Sequence, residues 1–524
     1  MQANHSDARR CERFIPALMV AALFFVFASA SKPISNSNDG SHYALTLALV
    51  FNRSFQIDPF IRLTKQVDLS YCGGHYYTDR PPGTALLAWP SAAAARWLAG
   101  ANDPARPSHK IRVAALWGVN LCAALNPALI YLLLRALGCR PGAALAAGVI
   151  FALGTLNFRY GVTLYSHVPA ATLVLASFLT VFALEPIGPE RRAWPGAAVL
   201  GLVTGFAPAV EYLLAPLGPM LMAYLMGRWA WTAHTRSRAP GRAMQVKQGA
   251  APRPAGAGLR MRGWWIGVPA AFLTGWLAGA AFLLFYNWTC FGHPLHTSYR
   301  YHHTFLWARS FGTTFGNPRP WRALWDLLFS LEYRGLLVTS PVFWLIGVGA
   351  VVWWRERGRR GLEVLALGVA TAALVLICHH RTYFAGASRD TRYVFFAAPL
   401  LFLPVGVALD WLLRREGAPG LRTELRRLGL VMSGVAALAS VLWQVRLALN
   451  FPGYEFSLGL IGPPEASVGY VERVLTCLFP DIFYWRINLA AALVVLLAGV
   501  GVGIVVERVR GARGRDAAGA SGRP

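Results

Sequence analysis

Apolar runs about 17 to 25 residues long recur along most of this chain, and they limit its fold more than any other feature. A run of that length as a helix crosses the ~30 Å hydrocarbon core of a bilayer. Lipid offers backbone N–H and C=O groups no water, so only helices or a closed barrel can span it. These runs are continuous rather than alternating with a period of two, which selects helices. The composition agrees, with 55% apolar and only 14% charged residues in 524, against about 25% charged in an ordinary soluble domain.

The sequence therefore predicts an all-α, polytopic integral membrane protein with about 12 transmembrane helices. The expected spans are Phe14–Ala30, Ile111–Leu134, Ala143–Leu156, Val162–Leu184, Pro195–Val210, Tyr212–Met226, Trp264–Tyr286, Gly335–Trp354, Leu362–Cys378, Val394–Leu413, Leu428–Trp443 and Ile487–Val506. They form one transmembrane domain over 1–506, followed by a disordered tail over 507–524. Ala28-Ser29-Ala30 also has the small-residue pattern of a signal-peptidase site, but the preceding apolar core is long for a signal peptide and many spans follow.

The formal charge of +26 arises from 50 Lys and Arg against 24 Asp and Glu. In this setting its distribution sets topology, and nucleic acid is not an expected partner. Arg9, Arg10 and Arg13 precede the first span, and clusters recur at Arg135 and Arg140, Arg191 and Arg192, a Pro/Gly/Arg-rich linker at 228–263, Arg355–Arg360, Arg414–Arg427 and Arg508–Arg515. In the twelve-span arrangement all of them fall on one side, so the positive-inside rule puts both termini in the cytoplasm. Arginine far exceeds lysine, and Ala and Gly are abundant, a usage that fits a bacterial inner (plasma) membrane protein. The 7 cysteines include no CxxC pair, so neither a zinc ribbon nor a thioredoxin-type motif is present.

The other side carries the long polar connections 31–110, 287–334, 379–393 and 444–486. Within the first, the Ala-rich segment Thr84–Leu98 reads as a helix lying at the outer interface. No internal repeat relates the first six spans to the last six.

Residues able to do chemistry concentrate on that external side. Asn36-Ser-Asn-Asp39-Gly-Ser-His42-Tyr43 follows the first span closely. Asp39 has two readings there, a general base for an incoming hydroxyl or a cap of the apolar helix that follows. Further on stands Tyr76-Tyr77-Thr78-Asp79-Arg80-Pro81-Pro82-Gly83-Thr84. Paired prolines open a helix, and Arg80 suits a phosphate or an ion pair with Asp79.

An Asp just outside span one, then a charged pair before Pro-Pro opening a short helix, resembles the GT-C class of polyprenyl-phosphate-dependent glycosyltransferases. Within that class the pattern is similar to protein O-mannosyltransferases and to the bacterial transferases that place aminoarabinose on lipid A. The resemblance covers about 100 N-terminal residues and a patch at Arg389-Asp390-Thr391-Arg392-Tyr393 with Pro399. It implies that Asp39 holds the position of the catalytic base, Asp79 that of a second acidic group, and Arg80 that of the residue contacting the donor phosphate. Gly40 stands where the family has its second acidic residue, and His42 where the aminoarabinose transferases have Arg.

The implied reaction moves a sugar, hexosyl or pentosyl, from a polyprenyl-phosphate-linked donor to a hydroxyl acceptor on a lipid, glycan or protein, with inversion. Lipid phosphate is a good leaving group, so the demands are acceptor deprotonation and stabilisation of charge on the departing phosphate. Arg80 and Arg392 come first for the phosphate, then Arg62, Lys65 and Arg300; Tyr43 and Tyr393 flank the motifs. No cofactor is required. A divalent metal is conceivable because many histidines lie on this side, among them His42, His75, His293, His296, His302, His303, His379 and His380, but no spacing is diagnostic. Glu211, between two short apolar runs and flanked by Pro208 and Pro216, is a further candidate as an ionisable residue at depth. The rival expectation is a twelve-span transporter of the major facilitator type, against which stand the large first loop and the missing repeat.

Overall fold

The computed structural model describes residues 3–449 except 33, 35, 101–102, 105–106, 238–256, 311–318, 379–389 and 415–420. The expected span Ile487–Val506, the tail, most of the 379–393 connection and nearly all of 444–486 lie outside the described residues, as do His379, His380 and Arg389.

The chain is a helical bundle. In order come α1 (Ala3–Ser29), α2 (Ser37–Leu47), a hairpin of β1 (Leu69–Cys72) and β2 (His75–Thr78), α3 (Gly83–Ala99), α4 (His109–Ala136), α5 (Pro141–Gly154), α6 (Leu156–Gly161), α7 (His167–Leu184), α8 (Trp194–Val210), α9 (Leu217–Ser237) and α10 (Ala257–Phe291). Longer helices after these cover Leu345–Cys378, Ala398–Leu412 and Leu421–Leu449. Among the described residues six helical segments are long and apolar enough to cross a membrane: Glu12–Ser29, His109–Ala136, His167–Leu184, Arg191–Val210, Ile266–Phe291 and Thr423–Ala448. Pro141–Gly154 and Ala398–Leu412 are shorter apolar helices.

Close packing rests on small residues. Along α8 and α10, Gly201 and Gly205 face Gly275 and Gly279 across the contact, and a Cβ at Gly275 would stand 2.0 Å from Ala198 O. Such small-xxx-small spacing lets two helix backbones touch where lipid supplies no hydrophobic drive for association. At one end of the bundle the helix termini are tied by ion pairs, Arg135 to Glu12, Arg140 to Asp410 at 3.1 Å and Arg228 to Glu185 at 2.8 Å.

The opposite end is built around a break in the apolar pattern. The expected span from Val162 instead begins at His167, because Pro169 belongs in a first helical turn and residues 162–166 turn without helix. Asparagines of α4 and α6 tie this break to α4. Asn120 Nδ2 donates to Gly161 O at 2.7 Å, Asn157 Nδ2 to Ala123 O at 2.9 Å, and Asn126 Nδ2 to Asn157 Oδ1 at 2.9 Å. Irregular backbone inside an apolar bundle needs such partners.

Other expectations are corrected. The β1–β2 hairpin means that the chain is not purely helical. Gly335–Trp354 and Leu362–Cys378 are not two spans: one helix runs Leu345–Cys378 through the basic cluster, since Arg and Glu are good helix formers and no proline intervenes. Residues 335–344 form a short helix, Leu336–Thr339, and a tight turn at Pro341–Trp344, because proline drives Ser340 out of the helical region. Tyr212–Met226 likewise splits into a turn, Tyr212–Leu214, and α9, which starts beyond Pro216. The 228–263 linker is helical at both ends, and α10 carries the helix through Asn287 to Phe291 before the next connection begins.

Candidate active site

The hairpin supplies the first part. Gly73 and Gly74 take φ of +59° and +87°, which two consecutive L side chains would resist and which a two-residue hairpin turn needs. Leu69 then lies opposite Thr78, so Asp68 and Asp79 leave the hairpin side by side. Just beyond, Pro81 and Pro82 deliver the chain to Gly83, where a Cβ would come 2.6 Å from Ala209 O. Only glycine allows α3 to start against the last turn of α8, the turn that leads into Glu211.

Arg80 is gripped by carboxylates. Its Nη2 lies 2.9 Å from Asp68 Oδ1 and its Nε 3.3 Å from Asp79 Oδ2. Asp79 Oδ1 accepts from Ser41 Oγ at 3.2 Å, and Asp79 Oδ2 stands 3.5 Å from His302 Nε2. Burial works against the Asp79 charge, but Arg80 and His302 outweigh it and hold this carboxyl below its usual range. Burial, reinforced by the Asp79 charge, pushes Asp68 above its own range. Two carboxyls sharing one cation are thus shifted in opposite directions.

Asp68, Asp79 and His302 offer ligand atoms within 4.8 Å of one another, as ion ligands would. The donor set does not fit a metal. His302 Nδ1 already accepts the Phe305 N–H at 3.0 Å, so the hydrogen of the neutral ring sits on Nε2, where a metal would need a lone pair. Arg80 supplies the cation that these carboxylates require.

Asp39 is the third residue of α2 and completes a capping box. Asn36 Oδ1 accepts from the N–H groups of Asn38 and Asp39 at 2.9 and 3.0 Å, and Asp39 Oδ1 accepts the Asn36 N–H at 3.1 Å. The capping reading is therefore realised. The carboxyl is also buried and close enough to the Tyr165 phenol for their charges to act on each other. Gly40 has a steric cause, since a Cβ would fall 1.9 Å from Leu63 O. No acidic side chain fits at that place.

Arg392 comes from the far end of the chain. Asp390 Oδ1 accepts its N–H at 3.2 Å, while Asp390 Oδ2 pairs with Arg159 Nη1 at 3.1 Å and takes the Tyr160 hydroxyl bond. The Arg392 guanidinium stacks 5.4 Å from the Tyr165 ring centre and 5.1 Å from that of Tyr393. Tyr393 in turn lies edge-on to His167, ring centres 5.4 Å apart.

Glu211 ends α8 at the kink before Tyr212–Leu214. Its Oε2 accepts from Ser166 Oγ at 3.1 Å and lies 3.6 Å from His167 Nδ1. Burial raises its pKa to about 7 against the Ser166 hydrogen bond and the nearby positive charges of Arg80 and Arg392. One buried carboxyl thus senses both arginines, which are separated by more than 300 positions in the chain.

Of the other expected residues, Arg62, Lys65 and Arg300 are exposed, and Arg300 bonds His296 Nε2 at 3.0 Å. Tyr43 is packed in the core on α2. His42, on the same helix, is buried with neither ring nitrogen hydrogen-bonded; burial and then Arg80 push its pKa down to about 3. Asp68, Arg159 and Asp390 are additions that sequence reasoning did not single out as site residues. The Gly73-Gly74 turn was the available signal for Asp68, because hairpin register places 68 opposite 79. Arg159 had none beyond being a charge between two apolar runs.

No family model matches the chain, and no curated protein matches it. Among solved structures it is similar to the oligosaccharyltransferase of Archaeoglobus fulgidus. The match to the apo form has 12% identity and a TM-score of 0.46, covering 83% of this chain and 55% of that one. The complex of that enzyme, AglB, with an inhibitory peptide and a dolichol-phosphate matches at 12% identity and TM-score 0.45, covering 83% and 56%. The form tethered to an acceptor peptide containing the NVT sequon gives 11%, 0.47, 83% and 55%. The chain thus spans little more than half the length of the chains it matches.

Proposed function

We propose that this protein is a membrane glycosyltransferase that takes a sugar from a polyprenyl-phosphate-linked donor and places it on a hydroxyl acceptor at the external face of a bacterial inner membrane. The observation that carries the reading is that Tyr165 joins the two motifs: its ring stacks on Arg392 at 5.4 Å, and its hydroxyl donates at 3.2 Å to Oδ1 of Asn36, the residue whose N–H the Asp39 carboxyl accepts. Two guanidiniums at one end of an apolar bundle suit a phosphate whose lipid chain lies among helices. A transporter reading gains no comparable support.

In this reading the acceptor oxygen attacks C1 of the sugar, its proton passes to Asp39, and the C1–O bond to phosphate breaks with inversion. The electron pair leaves on the phosphate, where Arg80 and Arg392 meet the developing charge. Asp79, beside Ser41, His302 and Arg80, orients the sugar or acceptor. Arg62, Lys65 and Arg300 are placed to draw an anionic headgroup toward the site, with the acceptor a glycan, lipid or protein.

Transfer of labelled sugar from defined polyprenyl-phosphate donors to endogenous membrane acceptors tests this, comparing wild type with Asp39→Asn and Arg392→Gln at matched expression. Asn at 39 keeps an oxygen for the cap and loses only the charge, so transfer should drop at least 100-fold, in line with general-base removal. Wild-type-like transfer by Asp39→Asn would leave Asp39 as a cap alone, and no transfer by wild type across the donor panel would sink the enzyme reading.

A further inference from the structure

His42 carries a hydrogen-bonding capacity that the fold does not use. Its side chain is 1% exposed, and neither ring nitrogen has a partner. A neutral imidazole has one N–H to donate and one lone pair to accept with. A buried polar group left without partners costs stability unless something supplies them, and a phenylalanine in its place would escape that cost. The neighbouring Ser41, by contrast, is fully engaged, with Oγ 2.6 Å from Thr78 Oγ1 and 3.2 Å from Asp79 Oδ1.

Helix geometry fixes where the His42 side chain leaves α2, because successive residues stand about 100° apart around a helix axis. Gly40 sets one side of α2 against Leu63 O. Ser41 sets the next toward Asp79, and so toward Arg80, whose Nε lies 3.3 Å from Oδ2 of that carboxyl. Asp39 caps the helix beside Asn36, to which the Tyr165 hydroxyl donates at 3.2 Å. His42 leaves the helix about 100° beyond Ser41 and about 60° short of Asp39, in the sector between the two carboxyls. Burial and then Arg80 push its pKa down to about 3, so the ring is neutral near pH 7 and meets a substrate with a hydrogen bond and not with charge.

The reaction proposed above places the sugar in that sector. Its acceptor oxygen stands at Asp39 and its leaving phosphate at Arg80, so C1 lies between them, with the C2 hydroxyl one bond further along the ring. Glycosyl transfer develops positive charge at C1, and hydrogen bonds to the C2 hydroxyl strengthen as it does. We propose that His42 hydrogen-bonds the C2 hydroxyl of the donor sugar, which makes the transferred sugar one with a free hydroxyl beside its anomeric carbon. The inference rests on the donor reading and deepens it. The cost of an unpartnered imidazole in the empty protein is recovered when that hydroxyl arrives.

Two labelled probes test this, a polyprenyl-phosphate hexose and its 2-deoxy analogue. Transfer to endogenous acceptors is measured in membranes holding wild type or His42→Phe at matched expression, at donor concentrations low enough for the rate to report kcat/KM. His42→Phe should lower transfer of the hexose at least about tenfold and that of the 2-deoxy analogue less than about twofold. Each probe is compared with itself, so the different intrinsic reactivities of the two sugars cancel. Purified wild type should also bind the hexose at least about threefold more tightly than the analogue, and this arm stands even if the variant fails to fold. Equal losses for both probes in His42→Phe, or equal wild-type affinities, overturn the inference while leaving the donor reading intact. A wild type that neither binds nor transfers the hexose refutes the donor reading itself.

Discussion

Arg159 and Asp390 are both fully buried and lie 3.1 Å apart, so removing one charge strands the other. Arg159→Met keeps the length of the side chain and deletes the cation. Asp390 would retain the Tyr160 hydroxyl and the Arg392 N–H, but a buried carboxylate with no cation costs about 3–5 kcal/mol. The double variant Arg159→Met/Asp390→Leu removes both charges. It loses two hydrogen bonds worth ~0.5–1.5 kcal/mol each net, so it should be roughly 1–3 kcal/mol below wild type and more stable than the single variant. Denaturant unfolding of detergent-purified protein, followed by tryptophan fluorescence, reads the order through the midpoints. A loss under about 1 kcal/mol for Arg159→Met, or a double variant no better than the single, would refute the claim that this pair anchors the Arg392 segment.

Gly40→Ala should yield little folded protein in a detergent-extraction melting assay, because its Cβ would meet backbone, Leu63 O at 1.9 Å, rather than a side chain that can move; normal yield would show that the α2 contact is not close. Folding raises the Glu211 pKa from 4.5 to about 7, so the folded state favours the protonated form, and stability should fall as pH rises from about 4.5 through 7. That loss amounts to roughly 3 kcal/mol, and Glu211→Gln should remove that part of the pH dependence of the melting temperature. His42→Phe replaces a buried ring with no hydrogen-bond partner by an apolar one, and should raise the melting temperature by a few degrees, equivalent to about 1–3 kcal/mol; a lower value would mean that His42 is satisfied in solution. Arg392→Lys keeps the charge but loses a planar group stacked on Tyr165 and Tyr393, and should weaken binding of a polyprenyl-phosphate hexose about tenfold. Arg80→Lys, still a point charge between Asp68 and Asp79, should cost less, and the reverse order would refute the stacking argument.

The helices were legible because hydropathy is a local property, and α1, α4, α7, α8 and α10 lie close to where apolar runs place them. What the runs cannot show is where a helix starts inside an apolar stretch. Val162 looked like the start of a span, yet Asn120, Asn126 and Asn157 support a turn there that hydropathy averages away. The single helix Leu345–Cys378 was misread for the opposite reason, because a charged run interrupts hydropathy without interrupting helix propensity. In the site, Asp79 and Arg80 were readable from the Pro-Pro motif, and Glu211 from its flanking prolines. Asp68 required the hairpin register, and Arg159 required knowledge of Asp390, a partner 231 positions away that no local pattern encodes.

The two arginines are held in different ways, and the difference bears on what each can do. Arg80 lies between Asp68 and Asp79, at 2.9 and 3.3 Å, with burial raising Asp68 while Arg80 and His302 hold Asp79 down. With two carboxyl groups already against its guanidinium, Arg80 offers a phosphate directed hydrogen-bond donors more than net charge. Arg392 is anchored through its backbone by Asp390, whose charge is already matched by Arg159, and its guanidinium lies between aromatic rings. The Arg392 guanidinium is thus placed by ring stacking and by its own backbone, whereas Arg80 is placed by a grip of two carboxylates.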